Sequence, residues 1–256
     1  MCLIILALKS HPSYKLVFAA NRDEYYDRPS ASAAFWKNAP GLIAGKDLRA
    51  GGTWLGVTTR GKITAITNYR DPLTHKTHAP SRGLLVTDFL LGDESPAAYF
   101  ERLDQKVREY NGFNLIAGEK DELYWYSNRG DGPGKLKPGI YGVSNRLLDT
   151  PWPKVIRAKE AFQKVISNDK YPDPEAIFHL LADRSPADDK DLPDTGVGIE
   201  WERILSPIFI TSPVYGTRSS TILLIDMNDR VTFIERTFNS NPEHATTLKY
   251  EFNIES

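Results

Sequence analysis

Cys2 is the one thiol in 256 residues, and it follows Met1 directly. Removal of Met1 would leave a single residue carrying both a thiol and a free α-amine. A thiolate is a strong nucleophile, and an adjacent amine can take its proton. An α-amine titrates near ~8, well below a lysine, so a useful share of it is neutral at physiological pH. Read as structure alone, the same position is a small apolar residue in a buried first strand. What weighs against that plainer reading is a set of polar clusters placed where apolar runs stop. They are Asn21-Arg22-Asp23-Glu24, Thr67-Asn68-Tyr69-Arg70-Asp71, Val143-Ser144-Asn145-Arg146 and Gly216-Thr217-Arg218-Ser219-Ser220. Polar groups gathered at one end of a sheet commonly build a site. Taken singly, an Asn at a strand end is a turn residue, and an Arg beside an Asp is a structural pair.

The elements must bring these clusters to Cys2. Residues 2–8 form a continuous apolar run of strand length, punctuated by Ser10-His11-Pro12-Ser13, and residues 16–20 form a second run. The two read as a hairpin that returns Asn21 to Glu24 toward the start of the first strand. A second hairpin is predicted around Arg60-Gly61, after glycines at 51 and 52 that mark a turn or a close backbone approach. The pattern then predicts helices over 81–91 and from 95 to about 110, strands over 113–118, 123–127 and 139–144, and helices over 153–166 and 174–182. Residues 184–200, rich in Asp, Pro and Gly, read as a surface connector. Strands are expected again over 206–211, 219–226, 231–237 and 246–252. Strands at both ends with helices between them predict an α+β fold. The expected form is a four-layer αββα sandwich of two antiparallel sheets, in one domain spanning residues 1–256.

Composition narrows the functions. Lys plus Arg is 32 against 33 for Asp plus Glu, which offers no global attraction to nucleic acid or to an anionic membrane. A lone Cys excludes an internal disulfide and a zinc finger, and it fits a reducing compartment. The short apolar start lacks a basic leader and a cleavage site, and no run approaches the ~20 apolar residues of a spanning helix. A cytoplasmic protein with no metal site is the expectation. The five histidines, His75 and His78 among them, read as surface residues.

Cys2 followed by Asn21-Arg22-Asp23-Glu24 resembles the motif of the NRDE family, which includes the transport and Golgi organisation protein 2 homologues. Further matching stretches are Gly51-Gly52-Thr53-Trp54-Leu55-Gly56, Thr67-Asn68-Tyr69-Arg70, Ser81-Arg82-Gly83, Tyr141-Gly142-Val143-Ser144-Asn145 and Gly216-Thr217-Arg218-Ser219. The family in turn is similar to N-terminal nucleophile hydrolases of the choloylglycine hydrolase and penicillin V acylase branch. Those enzymes cleave amides through a thioester and need no cofactor. The resemblance implies catalytic roles for Cys2, Arg22, Asp23, Asn68, Asn145 and Arg218, with Asn21, Tyr69 and Arg70 binding substrate. The substrate class would be a non-peptide amide or thioester. In that branch the early Arg and Asp stand apart, whereas Arg22 and Asp23 are adjacent. Adjacent strand residues point to opposite faces, which leaves the register open; in one arrangement Asn21 with Asp23 faces the amine while Arg22 braces from behind. The family also implies an alternative: a non-catalytic protein of haem trafficking or acyl-coenzyme A and lipid handling, linked to secretory and Golgi organisation.

Overall fold

The computed structural model describes residues 3–168, 171–238 and 245–255. Two antiparallel sheets form the centre. In chain order the elements are β1 (Leu3–Leu8), β2 (Tyr14–Tyr25), β3 (Ser30–Trp36), β4 (Ala39–Asp47), β5 (Leu55–Thr58) and β6 (Lys62–Asn68). Helices α1 (Gly83–Leu91) and α2 (Pro96–Asp104) follow. Next come β7 (Phe113–Glu119), β8 (Glu122–Ser127), β9 (Gly134–Lys135) and β10 (Gly139–Val143), then α3 (Pro153–Asn168), α4 (Pro174–Leu181) and α5 (Ile199–Leu205). The last strands are β11 (Tyr215–Asp226), β12 (Arg230–Phe238) and β13 (Ala245–Asn253). One sheet has the order β10-β1-β2-β11-β12-β13 and the other β3-β4-β5-β6-β7-β8-β9.

The apolar run of β1 is buried on both faces, as its lack of alternation requires. Ile4, Leu6 and Leu8, with Leu16, Phe18 and Ala20 of β2, face the core between the sheets. Leu3, Ile5 and Ala7, with Val17 and Ala19, face α3 and α4. In α3, Val155, Ala158, Phe162 and Ile166 recur at helical spacing and fill that second core. α4 starts on Asp173, whose side chain accepts from the Glu175 N–H, with Pro174 in the first turn. On the far side, α1 packs over β5 and β6, and α2 over β7. The layers are therefore helix, sheet, sheet, helix, the expected αββα sandwich.

Several elements differ from the sequence reading. β3 and β4 were not expected. The helix expected to reach residue 110 ends at Asp104 and is followed by a short 3-10 turn, Val107–Glu109. Residues 206–211 form no strand: α5 ends at Leu205, and Thr211 makes only an isolated bridge with Gly216. The segment there crosses from α5 to β11, and Ile208 and Ile210 are buried as loop residues.

Candidate functional site

The site lies where β2 runs past the start of β1 while still paired with β11. Leu3, the first described residue, pairs with Asn21. Cys2 lies outside the described residues. The face taken by each member of Asn21-Arg22-Asp23-Glu24 follows from strand alternation. Asn21 and Asp23 continue the face of Val17 and Ala19, toward the helices. Arg22 continues the face of Phe18 and Ala20, into the gap between the sheets.

Asn21 is fully buried and fully bonded. Its Nδ2 donates to the carbonyls of Leu181 and Ile208 at 2.8 and 2.9 Å, and its Oδ1 accepts from Ser220 Oγ at 2.6 Å. It ties the end of α4 and the 206–211 segment to the sheet. Asp23 is buried beside it, and its Oδ1 accepts from Thr217 Oγ1 at 2.6 Å.

The Arg22 guanidinium stacks on the Trp54 indole, 4.2 Å from the ring centroid. Trp54 has room because it lies against Gly45, where a Cβ would fall 2.3 Å from the ring. Burial lowers the Arg22 pKa, and nearby Arg218 adds to the effect, while Glu24 opposes it at 4.0 Å. Its side chain is 4% exposed. Nη1 has no partner among the described residues. Arg22, Trp54, Asn68, Ser81 and Arg82 line a cavity of about 280 Å³. Glu24 is paired with Arg28, and Arg28 with Asp47 at 2.6 Å. Although burial pushes it up, the bond to Arg28 holds the Asp47 carboxyl below the ordinary range, so this wall keeps its charge.

Asn68 closes β6 and also lines a second cavity of about 510 Å³. Its side-chain amide makes no hydrogen bond among the described residues. Asn145 lies across from it, but its amide is engaged: Nδ2 donates to the Asn68 carbonyl at 2.9 Å, and Oδ1 accepts from Arg70 Nη2 at 3.2 Å. Arg70 also donates to Glu202 Oε2 at 2.7 Å and lies over Trp152. Tyr69 lines the second cavity and carries Arg146 over its ring. Tyr25, Tyr215 and Trp201 form an aromatic wall, with Tyr215 edge-on to both other rings.

Arg218 reaches neither cavity. A register shift between Thr217 and Ser219 turns it aside, and its Nη1 donates to the carbonyls of Tyr25, Tyr26 and Arg28. The structure thus brings Arg22, Asn68, Tyr69, Arg70 and Asn145 to the two cavities. It places Asn21 and Asp23 on the opposite face of β2, and Arg218 at the turn that follows. Residues the sequence reading missed are Trp54 as the platform for Arg22, and Trp201 with Glu202 on α5. The composition of residues 184–200 concealed α5, whose Trp in a polar stretch was the available signal. A further cleft of about 590 Å³ between α1 and α2 holds none of these groups. Among the described residues there is no group of three or more metal-ligating side chains, and no helix is long and apolar enough to cross a membrane.

Residues 1–240 match the family Transport and Golgi organisation 2. The Transport and Golgi organization protein 2 homolog of Homo sapiens is 37% identical over 277 residues, and that of Bos taurus 36%, with all of each chain covered. Transport and Golgi organization protein 2 of Drosophila melanogaster is 29% identical over 96% of this chain and 95% of its own. Among solved structures, a mutant of the conjugated bile acid hydrolase from Clostridium perfringens superposes with a TM-score of 0.52 at 9% identity, covering 99% of this chain and 97% of that one. A second variant of that enzyme gives 0.50 at 10% identity, covering 99% and 98%. This likeness is one of fold: the two sheets and their covering helices are arranged as in that enzyme.

Proposed function

The chain belongs to the Transport and Golgi organisation 2 family, and from that premise we propose that it is an N-terminal cysteine hydrolase acting on a small-molecule amide or thioester. The observation that carries the reading is the pairing of Leu3 with Asn21. Leu3, the residue that follows Cys2 in the chain, thus stands at a strand end flanked by Arg22 and the smaller cavity. Once Met1 is removed, the neutral α-amine takes the thiol proton. The thiolate attacks the substrate carbonyl carbon, and the carbonyl π pair moves to oxygen. The Asn68 amide, which no described residue engages, is the oxyanion donor. Collapse of the tetrahedral adduct expels the amine or thiol, which leaves with the proton from the α-ammonium. Water, deprotonated by the same amine, then attacks the thioester, releasing a carboxylic acid and regenerating the thiol. The Arg22 charge favours the thiolate. The reading requires the Cys2 thiol to face Arg22, while the amine, a backbone group, is held from the Asp23 face.

The test combines the intact mass of protein from its natural host with alkylation rates across pH and hydrolysis of a panel of N-acyl amides and acyl thioesters. Support would be a mass lacking Met1, a thiol pKa below the ~8.5 of free Cys, and turnover abolished by Cys2→Ser. Loss of the oxyanion donor in Asn68→Ala should cost ~100-fold in kcat. Retained Met1 with an unreactive thiol overturns the reading. A ligand carrier without turnover, for haem or an acyl-coenzyme A, is favoured by one observation: the 510 Å³ cavity joins an aromatic wall to Arg70 and His75. Tight binding of such a ligand, unchanged in Cys2→Ser and accompanied by no turnover, would select that role.

A further inference from the structure

The gap between the sheets contains a buried carboxylate that the proposed reaction does not use. Glu235 of β12 continues the inward face of Val231 and Phe233, and it is 1% exposed. β3 has a register shift between Ala31 and Ala34, and within this irregular stretch the Ala33 N–H turns across the gap to donate to Glu235 Oε1 at 2.6 Å. Glu235 therefore also joins one sheet to the other.

Strand pairing connects it to Arg22. Glu235 is opposite Thr221 of β11, and Ser219, two residues away on the same face, is opposite Arg22 of β2. Arg22, Ser219, Thr221 and Glu235 form one inward row across three strands. Three atoms in this row have no hydrogen-bond partner among the described residues: Arg22 Nη1, Ser219 Oγ and Glu235 Oε2. They are complementary. The first is a donor, the second donates or accepts, and the third accepts when ionised. Buried polar atoms are rarely left unmatched, and waters holding two to four polar neighbours are the usual bridge.

We propose that Glu235 is a positioning residue of the Arg22 site: its carboxyl, bridged by water across Ser219, is the buried counter-charge of the guanidinium, and its protonation sets the field that Arg22 projects into the smaller cavity. Burial pushes this carboxyl up to about 7, while the Ala33 N–H, Arg22 and Thr221 pull it down, so its charge changes near neutral pH. The groups that face the pair are otherwise settled. On the Arg22 side, the charges of Glu24, Asp47, Arg28 and Arg218 act on the guanidinium. On the Glu235 side, the Tyr250 hydroxyl of β13 donates to the Ala33 carbonyl. The proposal rests on the place of Arg22 in the cavity and not on hydrolysis.

The test follows the carboxyl itself. Full-length protein carrying ¹³C-carboxyl glutamate is titrated by NMR, with the Glu235 resonance identified by its loss in Glu235→Gln. The expected result is a transition near neutral pH that moves up by about one unit in Arg22→Met. That is the size expected for unit charges about two strand spacings, roughly 10 Å, apart. Ser219→Ala, which removes only the bridging hydroxyl, should move it in the same direction and serves where Arg22→Met does not fold. A Glu235 that titrates as an ordinary glutamate, or one unmoved by Ser219→Ala, overturns the proposal. No turnover is measured, so failure of the hydrolase reading leaves this result standing.

Discussion

At the scale of single residues, a buried carboxyl that ionises only near neutral pH makes stability depend on pH in an unusual direction. In the folded chain Glu235 titrates at about 7, against an ordinary value of 4.5. Between those values the folded state holds a proton that the unfolded state has released. Stability therefore falls as pH rises through this window, by ~3 kcal/mol once pH exceeds the folded value. Glu235→Gln keeps the shape and never ionises. Urea unfolding at pH 5 and pH 8 should show the variant gaining ~3 kcal/mol on the wild type between the two. An equal difference at both would show that burial does not raise the Glu235 carboxyl. Arg218 makes a different prediction. Its guanidinium fork holds three carbonyls of the turn after β2 and lines no cavity. Arg218→Lys should lower stability by ~1 kcal/mol in thermal melts, with KM for any substrate unchanged. The sequence places Asn21 beside the chain start, where Leu3 pairs with it, and expects the Arg218 guanidinium at the strand mouth near Cys2, whereas it turns aside to the carbonyls after β2. The sequence carries no sign of what these two side chains bind, because their acceptors are backbone carbonyls, which every residue has.

The elements show the same division. The β1–β2 hairpin was legible because an unbroken apolar run has one comfortable fate, a strand buried on both faces. So was Gly51-Gly52: Gly51 has φ +82°, and a Cβ on Gly52 would lie 2.5 Å from the Gly83 carbonyl carbon and oxygen at the start of α1. β3 was not legible. As an edge strand it is half exposed, and its small residues and register shifts break the alternation that identifies a strand. α5 was hidden by its polar surroundings. It is fastened by Glu202, which is buried, accepts from Arg70, and also accepts from the Thr195 N–H at 2.9 Å. Glu202→Gln leaves the shape but weakens the charged bond. Amides of residues 194–205 should then exchange at least ~10-fold faster, equivalent to ~1.4 kcal/mol of local stability, and ligands of the larger cavity should dissociate faster. Unchanged exchange would mean that α5 is held by its apolar contacts, Trp201 and Leu205, and not by the ion pair.

At the scale of the molecule, the two cores share their strands. β1 and β2 send alternate residues to opposite sides, Phe18 into the gap between the sheets and Val17 toward Phe162 of α3. Neither core can come apart without exposing one face of strands that the other core also needs. Unfolding should therefore be a single cooperative event. Phe18→Ala and Phe162→Ala each remove a fully buried ring from a different core, and each should cost ~3–5 kcal/mol. If the cores are coupled through the first sheet, both variants move the whole transition, seen by tryptophan fluorescence and by far-UV circular dichroism, to the same lower urea concentration. The slope of that transition should stay that of the wild type. A Phe162→Ala variant that loses its helical signal in a separate earlier step, while Trp54 stays buried against Arg22, would show that α3 and α4 are a detachable layer. In that case the site at the end of β2 could form without them, and the bonds from Asn21 to Leu181 and Ile208 would fasten the helices to the site and not the reverse.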